Sequence, residues 1–440
     1  MTGAVIRGRT RYARAVKGFL LALVLLAAAC QTASAPPAPP AATTADERVT
    51  FNNQVVRVFQ RHCQECHRPG EVAPFALTTY RDAYARRDDI VDAVRSRYMP
   101  PWKAVPGHGD FTGVRRLSDA EVDLIARWVA DGATEGEPHD LPAPPKFPSG
   151  WTLGTPGAVL AMEEPFTVPP RTRDVYRCFS IPIRVPGDGR FIRASEVLPG
   201  NRKVVHHVVT FLDLTGRSVE LDRAEPGPGY TCFGGPGFDS PGGLGGWAPG
   251  YPGIEIPPGV AWRIPPGARL VVQLHYNNPG DAPETDVTRI GLHFTSGPFD
   301  RRLHGVLASA WNFVIPAGAP RTTVVARTDV QEDLEAIAVH AHMHLIGRAM
   351  TVTALLPSGR REPLLRIDDW DFDWQLLYYF KRPVALPAGT IVEAECVYDN
   401  SPGNLRNPSK PPRVVRSGFG TTDEMCQARV LSTARLKGRG

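Results

Sequence analysis

Two cysteines separated by two residues and followed at once by histidine stand in Arg61-His62-Cys63-Gln64-Glu65-Cys66-His67. That spacing is the attachment site of a c-type haem: each thiol adds across one vinyl group, and the adjoining imidazole swings under the iron. Such a haem takes a sixth ligand or keeps an open site. Met99, in Tyr98-Met99-Pro100-Pro101-Trp102, is the methionine of this region. His/Met ligation gives the raised potential that an electron-transfer haem requires. His108 is the alternative ligand, and simple packing of Met99 on the haem edge is the bland reading. A reduced zinc knuckle would use the Cys63–Cys66 spacing too, but suits an exported chain less well.

Further along, histidines fall in patterned groups. His206-His207 lies inside the apolar run Val204 to Thr210, and His275 ends Val271-Val272-Gln273-Leu274-His275-Tyr276. His340, His342 and His344 alternate along a third run. A strand projects every second residue from one face, so two imidazoles at that spacing can chelate one ion. Adjacent His206 and His207 would diverge in a regular strand, so joint ligation requires a bulge or the strand's end. Imidazole clusters suit copper, zinc, iron or nickel, and a thioether partner shifts preference toward Cu(I). Isolated core histidines satisfied by backbone carbonyls are the competing reading; three groups at strand positions argue against it.

Two textures of sequence must position these groups. From Val49 the pattern is helical, with Val55, Val58 and Phe59 leading into Cys63. A second helix is expected over Ala83 to Arg97. A third begins at Ser118, with Glu121 completing a capping box, Val122, Ile125 and Val129 on one face, and Gly132 as its stop. Beyond Pro138 to Pro148, which reads as a linker and spacer, short β-branched runs alternate with Pro/Gly turns. They are Val204–Leu212, Leu270–Tyr276, Arg289–Phe294, Thr322–Arg327, Ala336–His344, Met350–Leu356 and Thr390–Val397. The expected fold is a small all-α cytochrome c domain (48–137), a Pro-rich linker (138–164) and an all-β module of two β-sandwich domains (165–312 and 313–440), divided near Ala310 to Ala319.

The first thirty residues carry Arg7, Arg9, Arg11, Arg14 and Lys17, then an apolar core from Phe19 to Ala29. This is an export signal (1–29), followed by a disordered Ala/Pro/Thr/Ser tether (30–47). Leu26 to Cys30 resembles a lipoprotein cleavage box, which would anchor Cys30 through lipid; cleavage after Ala35 is the alternative. The expected location is the periplasm of a Gram-negative bacterium, soluble or tethered by one end. Of seven cysteines, Cys178, Cys232, Cys396 and Cys426 remain once lipid and haem are assigned. An even number suits disulfides in an oxidising space, and the sequence alone leaves their three pairings open. The net charge of +5 over 440 residues, without a Lys/Arg run outside the signal, argues against nucleic acid as a partner.

The ordered set His206-His207, Gln273-Leu274-His275-Tyr276, His342-Met343-His344-Leu345-Ile346-Gly347-Arg348, Gly418-Phe419-Gly420 and Asp423-Glu424-Met425-Cys426 resembles the copper type II, ascorbate-dependent monooxygenases. That family includes peptidylglycine alpha-hydroxylating monooxygenase and dopamine beta-hydroxylase. The resemblance covers roughly residues 165 to 435. It implies jelly-roll topology for both sandwiches and two copper ions. His206, His207 and His275 match the copper that stores and passes an electron. His342, His344 and Met425 match the copper where dioxygen binds and a C–H bond is attacked. It implies that Cys426 bonds Cys396, which leaves Cys178 with Cys232.

Departures bear on substrate. His340 stands where the peptide hydroxylase has an arginine, and Gln427 and Arg429 where it has asparagine and tyrosine, so that enzyme's peptide carboxylate clamp is not reproduced. His340 is read first as an orienter of neighbouring ligands, with a substitute ligand and a substrate contact as the alternatives. The expected activity is therefore dioxygen-dependent hydroxylation of a small organic molecule. Electrons would come through the c-type haem from a periplasmic donor or an ascorbate-like reductant. A non-catalytic copper-binding or electron-transfer protein is the rival. Asp369-Trp370-Asp371-Phe372-Asp373-Trp374 alternates acids and aromatics, and is expected as a strand with one aromatic and one acidic face.

Overall fold

The structure is a computed structural model describing residues 48–71, 73–147, 150–184, 190–248, 253–420 and 422–436. The expected signal, tether and lipid-bearing Cys30 lie outside the described residues. The described chain is mostly β-sheet with few helices.

Helices α1 (Val56–His62), α2 (Tyr80–Ala85), α3 (Arg87–Arg95) and α4 (Asp119–Ala130) carry the first part. The helix expected over 83–97 is two. A Thr79–Asp82 capping box starts α2 early, Arg86 leaves helical geometry, and Asp88-Asp89 opens α3. In α4 the Ser118–Glu121 box is present in both directions. Trp128, rather than Val129, is the fully buried residue beside Val122, Ile125 and Ala126. Phe51, Phe59, Tyr80 and Trp128 pack ring on ring, with Phe51 5.8–6.1 Å from the other three. Each such pair is worth about 0.5–1.5 kcal/mol beyond the area it buries.

The β region buries two further apolar cores. In its first half, a five-stranded sheet carries Thr172–Pro182, Arg269–Asn278 and Val205–Asp213 side by side. It faces Arg190–Leu198, Val260–Ile264 and Arg289–Thr295 across a core that includes Val208, Leu274, Ile192 and Ile290. In the second half, Arg301–Ala310, Cys426–Arg435, Leu334–His342 and Leu377–Leu386 face the four-stranded sheet Thr322–Asp329, Ile391–Tyr398, Gly347–Leu355 and Arg361–Ile367. Parallel pairing of Val260–Ile264 with Arg301–Ala310 makes one nine-stranded sheet continuous across both halves. Arg301–Ala310 pairs along its whole length with Cys426–Arg435. That strand therefore belongs to the second half's ladder, ahead of the division expected near Ala310.

Two expected features differ. Ala158–Ala161, expected within the linker, is a strand on Arg289–Thr295. The Pro-rich segment is laid along the helices: Arg57 donates to the Asp140 carbonyl (3.1 Å), Gln60 donates to that of Ala143 (3.1 Å), and Arg68 caps the Phe147 ring at 4.0 Å. The segment between α3 and α4 docks on the second β half. Val105 N–H bonds the Arg366 carbonyl, Thr112 N–H that of Tyr379, and Lys381 N–H that of Asp110, all at 2.8 Å. Trp102 and Phe111 sit against Tyr378 at 5.1 and 5.3 Å. Backbone pairing and aromatic packing hold this junction, not a free spacer.

Candidate metal centre

The first histidine group is built by a bulge. Tyr276 pairs with Val205 but His275 pairs with His207, so His206 is an extra residue in its strand. Val205 and Val208 both point into the core. The two residues between them therefore share the opposite face, which a regular strand forbids. Leu274 and Tyr276 are core residues too, so His275 projects beside His207. Of the two arrangements that would let His206 and His207 share a face, a bulge or the strand's end, the strand has the bulge.

Three nitrogens converge there. His207 Nδ1 lies 3.3 Å from His206 Nδ1 and 3.3 Å from His275 Nδ1. Ligand atoms of all three lie within 4.8 Å of one another. Asp174 accepts from His275 Nε2 at 3.0 Å. A carboxylate only accepts, so Nε2 carries the proton and the Nδ1 lone pair faces the other rings. Tyr176 stacks on His275 at 4.3 Å, the two rings nearly parallel. Burial and then the neighbouring imidazoles hold His207 well below the usual range and His275 at about 3. His206 is lowered by burial as well. Neutral imidazoles with converging lone pairs are the donor set that a borderline-soft cation needs.

The second group hangs on the nine-stranded sheet. Val339 and Ala341 face the core, so His340 and His342 face away. His342 is opposite Gln427, and His340 is opposite Arg429. That pairing ends at His342 and Gln427; beyond it, His344 N–H bonds the carboxylate of Glu424, the residue before Met425. Gln375 Oε1 accepts from His342 Nδ1 at 2.6 Å, and the Asp423 carbonyl accepts from His344 Nδ1 at 3.0 Å. Both rings thus keep Nε2 as the free lone pair. Their centroids are 5.1 Å apart. Burial, then neighbouring His344, lowers His342 to about 3. Burial, then the Arg429 cation, lowers His340 to about 4; its ring lies 6.5 Å from that of His342.

Met425 is buried and held from two sides. Tyr398 Oη donates to its carbonyl at 2.8 Å, and the Cys396–Cys426 disulfide ties the next residue to the facing sheet. Glu424 accepts from His344 N and Ile346 N at 2.8 Å each. At Gly418 a Cβ would collide with the Asp423 carboxylate, which explains the glycine before that turn. Cys178–Cys232 is the other disulfide, and Gln273 Nε2 donates to the Cys232 carbonyl at 2.6 Å.

In the helical part Cys63 and Cys66 are free thiols, while the other four described cysteines are paired. Burial pushes Cys63 up to about 12 and Cys66 to about 11. The Phe75 carbonyl accepts from His67 Nδ1 at 3.1 Å, leaving Nε2 as the free lone pair. That partner fixes the tautomer an axial ligand needs. Met99 is half-buried at the end of the α3 turn, its N–H on the Ala93 carbonyl. His108 lies in the segment docked on the β-sheet.

Residues beyond the sequence reading join the groups. Glu71, four residues after His67, pairs with Arg68 at 2.7 Å and with Arg202 at 3.3 Å, and Arg202 stands four before His206. Lys103 is buried and pairs with Asp369 (2.7 Å) and Asp371 (3.8 Å). The stretch 369–374 is a loop, not the expected strand: Trp370 is buried in the core, while Trp374 reaches His206 at 6.2 Å. Asp174 was within reach of a pattern search, because Val175 to Ile181 alternates as a strand does. Nothing local marks Gln375 or Arg202.

Likeness to solved structures is slight. The major capsid protein P2 from bacteriophage PM2 is 10% identical over 64% of this chain and 99% of its own, with a TM-score of 0.24. VP54 of PBCV-1, fitted into a reconstruction of the virophage Sputnik, is 10% identical over 66% of this chain and 97% of its own, with a TM-score of 0.23. Neither bears on function. By sequence, residues 308–432, the stretch that carries His342, His344 and Met425, match the family model described as copper type II ascorbate-dependent monooxygenase, C-terminal domain.

Proposed function

We propose that the protein is an exported haem–copper oxidoreductase that hydroxylates a C–H bond of a small organic molecule with dioxygen. The observation that carries this reading is the convergence of three neutral imidazole nitrogens in one half of the β region, beside a second half that matches a copper monooxygenase domain. His206, His207 and His275 would hold one copper through Nδ1. His342 and His344 would hold the other through Nε2, with the Met425 thioether. Copper supplies one-electron redox chemistry at both centres and, at the second, activation of dioxygen; a soft thioether there favours Cu(I).

Around those centres the chain's work is positional. Asp174, Gln375 and the Asp423 carbonyl each take one ring N–H and so fix which nitrogen is free. Partners of this kind are worth about 10–100-fold in metal affinity or activity. Cys63, Cys66 and His67 would hold haem c, with Met99 as sixth ligand, and the haem would supply single electrons. The Glu71–Arg202 pair ties the turn after His67 to the chain entering the His206 strand, which supports delivery of electrons within one molecule. Arg57, Gln60 and Arg68 hold the Pro-rich segment in place, so donor and acceptor sit at fixed separation rather than on a loose tether.

The test is anaerobic reduction of the haem in copper-loaded and copper-free protein, followed by dioxygen. Copper-loaded protein is expected to reoxidise its haem about tenfold faster or more, a barrier difference of about 1.4 kcal/mol or above. Equal rates with both coppers bound would contradict the relay.

A further inference from the structure

The loop between Arg361–Ile367 and Leu377–Leu386 touches both histidine groups with consecutive residues. The Trp374 ring lies 6.2 Å from that of His206. Gln375, the next residue, accepts from His342 Nδ1 at 2.6 Å. We propose that Trp374-Gln375 is a built electron bridge between the two centres. This rests on the reading that both hold copper.

Three observations support it. First, the groups stand on different sheets and far apart in sequence, so the main chain of their own strands offers no short route between them. Electron tunnelling falls off steeply through empty space and less steeply through bonds and hydrogen bonds. From the Trp374 indole the path runs through one peptide unit, the Gln375 side chain and one short hydrogen bond to the His342 ring. A single contact, His206 to Trp374, completes it.

Second, Trp374 Nε1 is buried without a hydrogen-bond partner among the described residues. Indole N–H groups normally find one when buried. Trp370, four residues earlier, shows the ordinary outcome: its Nε1 donates to the His344 carbonyl at 3.0 Å. The indole of Trp374 is therefore not placed to satisfy its own polar atom.

Third, the loop is pinned. Lys103 holds Asp369 and Asp371, Arg406 lies 3.6 Å from Asp369 and 3.9 Å from Asp371, and Gln375 Nε2 donates to the Phe372 carbonyl at 2.8 Å. A conduit needs a fixed geometry, and these contacts supply one.

With copper held by both groups, the bridge would carry one electron from the first ion to the second, the donor oxidised and the acceptor reduced by one unit with no bond formed or broken, and a reduced haem would resupply the first.

The test uses anaerobic copper-loaded holoprotein given two electrons per chain at the haem by a photoreductant, with haem absorbance followed in time. Wild type is expected to show two reoxidation phases, because the second haem electron must wait for the first to move on. Trp374→Ala should keep the first phase and slow the second by about tenfold or more, read as a rate ratio. Trp374→Phe, which keeps a ring, should slow it less. An unchanged second phase in Trp374→Ala with two coppers bound would overturn the bridge. If that variant loses copper, Trp374→Phe is read instead, and an unchanged second phase there overturns it equally. A wild type with two coppers and no haem reoxidation would sink the relay reading on which the bridge rests.

Discussion

Protein carrying His207→Ala is expected to retain one copper per chain, against the two proposed for wild type. His207 is the hub of its group, half-buried and 3.3 Å from each of the other two Nδ1 atoms. Removing it leaves His206 and His275 as a two-nitrogen remnant, and copper affinity there should fall about a hundredfold or more, since even outer partners of such ligands are worth about 10–100-fold. Loss of fold is not the expected cause. The apolar anchors of the bulge are Val205 and Val208, and they stay. The second copper should be untouched, because His342, His344 and Met425 hang on other strands. Metal analysis after dialysis against a weak chelator reads the outcome directly. Two coppers retained in the variant would rule out the His207 assignment.

Cys63→Ala combined with Cys66→Ala is expected to abolish covalent haem. Haem would then leave the chain on acidic organic extraction, whereas wild-type haem stays with the protein. Both thiols are free, and the Phe75 carbonyl sets the tautomer of the adjoining His67. The helical part should also lose stability. Its core is small, resting on Phe51, Phe59, Leu117, Ile125 and Trp128, and small cores depend on added cross-links or cofactors. The expected readout is a lowered unfolding midpoint of the helical signal alone, with the β region unchanged. Haem that still resists extraction from the double variant would contradict the attachment site.

Much of the fold was legible because two periods were clean. The seven runs read as strands all reappear within a few residues, and Ser118 with Glu121 located α4. Two of the long strands that escaped are interrupted by charge. Leu377–Leu386 contains Lys381-Arg382-Pro383, and Arg301–Ala310 opens on two arginines, so neither shows an apolar alternation. The Asp369–Trp374 stretch failed in the opposite sense. It alternates like a strand, but its acids answer Lys103 and Arg406 from distant chain segments, which local pattern does not reveal.

The candidate site divides the same way. Ligand-type residues were visible through their rarity and spacing, and strand geometry alone limited a joint His206-His207 site to a bulge or a strand's end. Of the groups that orient them, Asp174 stands at the head of a readable strand, but Gln375 acts on His342 across 33 residues and carries no local mark. Nor does anything local announce that Glu71 reaches Arg202 across 131 residues. The linker misled for a related reason: proline-rich composition says that a segment is not a helix, not that it is loose.

The most direct test of the account is copper and haem content per chain, measured on protein matured in an oxidising compartment supplied with haem, beside Met425→Ala. The account predicts two coppers and one covalent haem in wild type, with the variant keeping its haem and one tight copper. No copper at saturating supply would contradict the account, leaving a haem-bearing chain with a β region of some other use.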